Sequence, residues 1–188
     1  MLNPERMGLT VRPAAARDCA RLAELVGQLG YEAEGPAVAE RLALLDAEGR
    51  VALVAELDGA VVGCLTTSIM RVLHRPAPVG RISMMEVDEA RRSRGIGAEL
   101  VRAAEQALAA QGCYMIEVTS HLRRTRAHRF YERLGWERWR GPTYVRHPSG
   151  VRRSAEEDDG VMVLRFGASL ELEPTASLTC HARPGDAW

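Results

Sequence analysis

Asp58-Gly59 stands between two runs of strand-forming residues, 51–57 and 61–69. A two-residue Asp-Gly link suits a turn with positive φ at both central residues, which matches the twist of two antiparallel strands. The chain is therefore expected to contain an antiparallel hairpin, and the rest must be built against that hairpin's apolar face. Helical periods flank it. Upstream, 18–29 places Leu22, Leu25, Val26 and Leu29 on one stripe, and Gly30 stops it. A second short helix over 36–47 carries Val38, Leu42 and Leu45, and residues 7–12, ended by Pro13, read as a strand. Downstream, strands at 81–87, 114–119 and 136–140 alternate with helices at 96–110 and 123–134, and 161–166 is a last strand. Such an order predicts one α/β layer domain with a mixed sheet. Its strand–helix–strand unit from 81 to 119 should be a right-handed parallel crossover.

With 188 residues, one domain is expected, over 1–166, with 167–188 as a loosely structured tail. Residues 142–160 are polar and read as a lid or a disordered loop. The 25 basic and 25 acidic residues balance, so a nucleic-acid partner is disfavoured. Every basic residue is Arg, which excludes chemistry through a Lys Schiff base. The four cysteines show no zinc-site spacing, and no metal is expected. The first 13 residues hold no apolar run of signal-peptide length, and no stretch approaches a membrane span. The expectation is a cytoplasmic protein with no membrane partner.

The residues with the most chemistry are Arg91-Arg92-Ser93-Arg94-Gly95-Ile96-Gly97-Ala98, placed after a strand and opening a helix. A helix start presents backbone N–H groups without internal partners at the positive end of its dipole, where phosphate binds well. Arg92 and Arg94 add charge and bidentate donors. Two familiar phosphate loops do not fit. A Walker loop needs Lys, and Leu100 stands where a dinucleotide fingerprint needs its third Gly.

Arg92-Ser93-Arg94-Gly95-Ile96-Gly97 follows Met85-Glu86-Val87, and Ala127-His128-Arg129-Phe130-Tyr131-Glu132-Arg133-Leu134-Gly135-Trp136 follows one strand later. Together these resemble the two signatures of the GNAT superfamily of N-acetyltransferases, [RQ]-x-x-G-x-[GA] and a helix ending in Tyr, a charged residue and Leu-Gly-aromatic. The resemblance covers residues 9 to 140. It implies a mixed, mostly antiparallel central sheet with helices on both faces, and acetyl-CoA as co-substrate.

The resemblance also implies roles. Backbone groups of Met85 and Val87 would bind the pantetheine arm in a splay of the sheet. Main-chain N–H groups of Arg92, Ser93, Arg94, Gly95, Ile96, Gly97 and Ala98 would hold the pyrophosphate. Tyr131 matches the residue that protonates the leaving thiolate in many members, and a phenol is neutral at pH 7. Transfer would be direct, so no cysteine is needed. Glu86 alternates away from Met85 and Val87 and is the candidate base, or else a pocket residue that selects a cationic amine. His121 is a rival base, and His128, off the helix's apolar stripe, is expected in solvent. Many members carry Asn where this chain has Arg124, so Arg124 is expected to meet CoA phosphates instead.

The expected reaction is acetylation of a small-molecule primary amine. A protein N-terminus or Lys side chain is the alternative acceptor, and a non-catalytic acyl-CoA-binding sensor is the alternative of another class. The apolar run at 161–166 offers a strand edge on which a homodimer could pair.

Overall fold

The computed structural model describes residues 8–48 and 50–138 in full and residues 161–167 as backbone. Strand β1 (Leu9–Pro13) leads into α1 (Cys19–Gln28) and α2 (Gly35–Ala47). The hairpin follows as β2 (Ala52–Leu57) and β3 (Ala60–Met70), then β4 (Val79–Val87) and α3 (Ile96–Ala110). The remainder is β5 (Met115–His121), α4 (Thr125–Arg133), β6 (Glu137–Arg138) and β7 (Val161–Gly167).

The hairpin forms as its residues dictate. Leu57 pairs with Ala60, and Asp58 and Gly59 take φ of 51° and 80°. The seven strands form one sheet in the order β1-β2-β3-β4-β5-β7-β6. Every neighbouring pair is antiparallel except β4 and β5, which α3 joins as the expected parallel crossover. The mixed, mostly antiparallel sheet is thus as the motifs implied.

Helices cover both faces. On one, Cys19, Leu22, Ala23 and Leu25 of α1 and Val38 of α2 pack on Val54 and Cys64. On the other, Leu100, Val101, Ala104 and Leu108 of α3 meet Leu65, Ile82, Ile116 and Val118, with Tyr131 and Trp136 closing the cluster. Arg12 ties β1 to the start of α1: its Nη1 and Nη2 donate to Asp18 at 2.8 and 2.9 Å, and its Nε donates to Glu56 at 2.8 Å. The guanidinium holds the buried Asp18 carboxyl below its ordinary value, although burial opposes this.

Two expectations need correction. β7 is not an edge strand, because it lies between β5 and β6, whose described residues pair with its Leu164 and Arg165. His128 is buried rather than in solvent, with Nε2 3.0 Å from the carbonyl of His121. The carbonyl accepts, so Nε2 carries the proton. His128 stands three residues before the buried Tyr131 and so shares its helix face. The segment 142–160 and the tail lie outside the described residues, apart from Gly167, which ends β7. No helix among the described residues is long and apolar enough to cross a membrane.

Candidate active site

The sheet opens where its one parallel pair ends. β4 and β5 stay in register from Val79↔Met115 to Ile82↔Val118, and pairing stops there. β4 continues to Val87 with its other edge still on β3, as far as Gly63↔Val87. A V-shaped gap therefore lies along 83–87. The Asp88 N–H donates to Val62 O on the β3 side. Alternation then turns the N–H groups of Val87 and Met85 into the gap. Their side chains pack on the α3 face, while Met84 belongs to the opposite cluster.

Beyond the gap the chain turns sharply. Asp88 accepts from Ala90 N at 3.1 Å and caps a short 3-10 turn, Glu89–Arg91. Ser93 and Gly95 then take left-handed φ of 65° and 83° before α3 begins. Alternation of handedness points successive amides to one side, a concave anion cradle continuous with the free amides of the helix start. Ser93 adopts this conformation without the freedom of glycine, at about 1–3 kcal/mol. The two glycines do different work. Gly95 supplies the left-handed turn, whereas Gly97 makes room for an aromatic: a Cβ there would lie 3.2 Å from Cζ of Phe130.

A cleft of about 730 Å³ joins the gap to this cradle. Of the expected residues, Met85, Glu86, Val87, Arg92, Ser93, Gly95, Ile96, Gly97, Ala98 and Arg124 line it; Arg94 and Tyr131 do not. Ile96 contributes from its backbone side, since its side chain is in the core. Arg91, from the turn that the sequence singles out, and Arg126, from the basic stretch 121–126, also line the cleft, whereas sequence reasoning gave no site role to Phe130 and Arg133, which stand on the same wall. Phe130 and Arg133 share one face of α4 with Arg126, Ala127 and Leu134, and that spacing was the available signal. The cleft is thus rimmed by six arginines, 91, 92, 123, 124, 126 and 133, although the chain as a whole is neutral.

Glu86 is only 7 % exposed. Its Oε1 accepts from Val87 N at 3.1 Å and from Arg92 Nη2 at 2.7 Å, and Arg92 Nε also donates to Val87 O at 3.1 Å. Beneath it, Cys64 is buried, and burial together with the Glu86 charge pushes its thiol up to about 12, which keeps it protonated and inert. Tyr131 is 4 % exposed, its ring edge-on to Phe130 at 5.1 Å and tilted against Trp136 at 5.2 Å. Burial raises its phenol well above the ordinary value, so it holds its proton at neutral pH. His121 accepts from Arg123 N at 3.3 Å through Nδ1. On the face away from α3, Glu117 is buried and bound by Arg81 Nε at 2.9 Å, a pair that single-strand alternation did not single out.

A splayed sheet whose gap-facing amides run into an anion cradle defines an acyltransferase built to hold an extended thioester donor. The comparisons agree. The family model described as Acetyltransferase (GNAT) family matches residues 19–136, and the chain belongs to that family, the acetyl-CoA-dependent N-acyltransferases. The chain is similar to the aminoglycoside 2'-N-acetyltransferase of Mycolicibacterium fortuitum, at 35 % identity over 134 residues, which covers 69 % of this chain and 67 % of that protein. It is also similar to the aminoglycoside N(6')-acetyltransferase type 1 of Stenotrophomonas maltophilia, at 28 % identity over 74 % of this chain and 93 % of that one. Among solved structures, the yncA protein of Salmonella typhimurium, determined with its cofactor acetyl-CoA, shares the fold with a TM-score of 0.69. It is 17 % identical and covers 90 % of this chain and 99 % of its own.

Proposed function

We propose that this enzyme transfers an acetyl group from acetyl-CoA directly to the primary amine of a small molecule. The observation that carries it is the continuity of the 83–87 gap with the left-handed turn at 93–95, which offers amides to an extended thioester and then to its pyrophosphate. Two relatives whose names give aminoglycosides as substrates, and a third, the aminoalkylphosphonate N-acetyltransferase of Salmonella typhimurium (30 % identical over 60 % of this chain), support a small-molecule acceptor.

In this assignment the N–H groups of Met85 and Val87 bind the pantetheine arm, and one of them polarises the thioester carbonyl. Amides from Arg92 to Ala98 hold the pyrophosphate, and Arg124 with its arginine neighbours meets the remaining phosphate charge. The amine attacks the thioester carbon, the C–S bond breaks, the thiolate takes a proton from Tyr131, and the proton that the new amide nitrogen sheds returns to the Tyr131 phenolate through solvent. Glu86 receives the proton from the ammonium substrate or, short of that, holds the cation in the pocket. The catalytic domain runs over 1–166 and works in the cytoplasm, and a homodimer belongs to the same reading.

Calorimetric titration with acetyl-CoA, CoA and ATP tests this reading. Micromolar binding of acetyl-CoA and not of ATP is the expected result, followed by turnover with small amines. Absence of binding by all three overturns it. Acetylation of peptide N-termini in preference to any small amine would keep the donor and replace the acceptor.

A further inference from the structure

We propose that Glu86 and Arg92 form a latch across the donor site: each occupies what the donor needs, and acetyl-CoA releases the Glu86 carboxylate toward the amine by taking its partners away. This rests on the donor assignment above.

The geometry is specific. One carboxylate oxygen, Glu86 Oε1, accepts both from the Val87 N–H that faces the gap and from the Arg92 guanidinium at the mouth of the anion cradle. A carboxylate this buried is costly unless its charge is paired and hydrogen-bonded. Both partners lie on the donor side of the strand. A thioester or pantetheine oxygen entering the gap competes with Oε1 for the Val87 N–H. A pyrophosphate entering the cradle, with higher charge, competes with it for Arg92, whose side chain is 38 % exposed and able to swing. Arg92 is otherwise held by the Val87 carbonyl and, at 3.5 Å, by Glu89. With the donor seated, Glu86 keeps neither partner, and its place on the strand leaves it facing the side opposite Met85 and Val87. An ammonium group then supplies the missing charge. The carboxylate becomes available to the acceptor only once the donor is bound, so the acceptor's affinity depends on the donor.

A brace would behave oppositely. If Glu86 served to hold Arg92 in position for phosphate, its loss would weaken donor binding. The latch makes the loss strengthen it. Acetyl-CoA should bind Glu86→Gln roughly 3- to 30-fold more tightly than wild type, given the strength of a charge-assisted hydrogen bond, while kcat falls. Glu86→Ala, which removes both contacts, should tighten at least as much. Neutralising any carboxylate near a polyanion tightens its binding somewhat, so Glu89→Gln measures that bare effect. Its charge also lies beside Arg92, but its side chain does not touch the Val87 N–H. Titration of all four proteins, with melting temperatures to confirm folding, decides the matter. Glu86→Gln that binds acetyl-CoA more weakly than wild type, or no more tightly than Glu89→Gln, overturns the latch. Wild-type protein that fails to bind acetyl-CoA at all overturns the donor assignment itself, a separate result.

Discussion

A Cβ placed on Gly97 would stand 3.2 Å from Cζ and 3.4 Å from Cε2 of Phe130. Gly97 belongs to the first turn of α3 and Phe130 to α4, and both line the cleft. Two effects oppose each other in Gly97→Ala. Helix propensity favours Ala by about 1 kcal/mol, and overpacking costs about 1–3 kcal/mol. Phe130 is half-buried and can give by the few tenths of an ångström required. The fold should therefore lose no more than about 2 kcal/mol, while the displaced ring raises the Kd for acetyl-CoA several-fold. Urea unfolding and calorimetry on the same preparation read both. A variant that is more stable with an unchanged Kd would show that Gly97 serves neither packing nor site shape.

Gly80 poses the same question without slack. Its added Cβ would meet Leu108 at 2.8 Å from Cδ1, 3.0 Å from Cδ2 and 3.2 Å from Cγ, and Leu108 is fully buried. Ala gains about 0.5–1 kcal/mol over Gly in a strand, less than the overpacking penalty of a closed core. Gly80→Ala should lose about 1–2 kcal/mol. Leu108→Val removes both crowding δ carbons, so the double variant should cost less than the sum of the singles, by about 1 kcal/mol in a double-mutant cycle. Additive losses would mean that the crowding is not at Leu108.

The same distinction explains what could be read from sequence. The Asp58-Gly59 hairpin, the crossover through α3 and the turn at 93–97 are local: each follows from a few neighbouring residues whose φ or period is forced. The Gly97–Phe130 contact, the insertion of β7 between β5 and β6, and the point where β4 leaves β5 are long-range. No turn residue within β4 marks that point, yet a β-bulge sits there: the register with β3 skips Ser83, so Ile82, Met85 and Val87 all pack on the α3 face. His128 lies between the two cases. The apolar stripe of Ala127, Phe130, Tyr131 and Leu134 leaves it out, and a polar residue there reads as solvent-facing until its partner, the His121 carbonyl, is known.

His128 also gives the fold a pH dependence. Burial lowers its pKa below the ordinary 6.5; Arg138 adds to this, while the His121 carbonyl and Glu132 oppose it. The folded protein thus binds its proton less readily than the unfolded chain, and stability rises with pH between the folded value and about 6.5. Acidification through that window should weaken wild type. His128→Gln, which keeps a donor for the carbonyl and cannot titrate, should show a flatter profile. Asp18 and Asp88, whose carboxyls are held below their ordinary values, lose their contributions further down the scale. Urea midpoints of both proteins at pH 7.5 and 5.5 check this; parallel losses would exclude His128 as the source.

Tyr131 separates packing from chemistry. Its hydroxyl is buried beside Phe130 and Trp136 and has no hydrogen-bond partner among the described residues. A buried, unsatisfied hydroxyl costs about 1–3 kcal/mol. If the ring only fills the core, Tyr131→Phe should stabilise the protein and leave turnover alone. If the phenol protonates the departing thiolate, the same variant should still be more stable. Its kcat should then fall about 10- to 1000-fold, with the Kd for acetyl-CoA within about twofold of wild type. Higher stability with lower turnover is the expected pairing, the trade-off of a polar group retained for function. Steady-state kinetics with the best amine acceptor, beside a thermal melt, measure it. Unchanged kcat would assign Tyr131 to the core alone and leave the thiolate to be protonated from solvent.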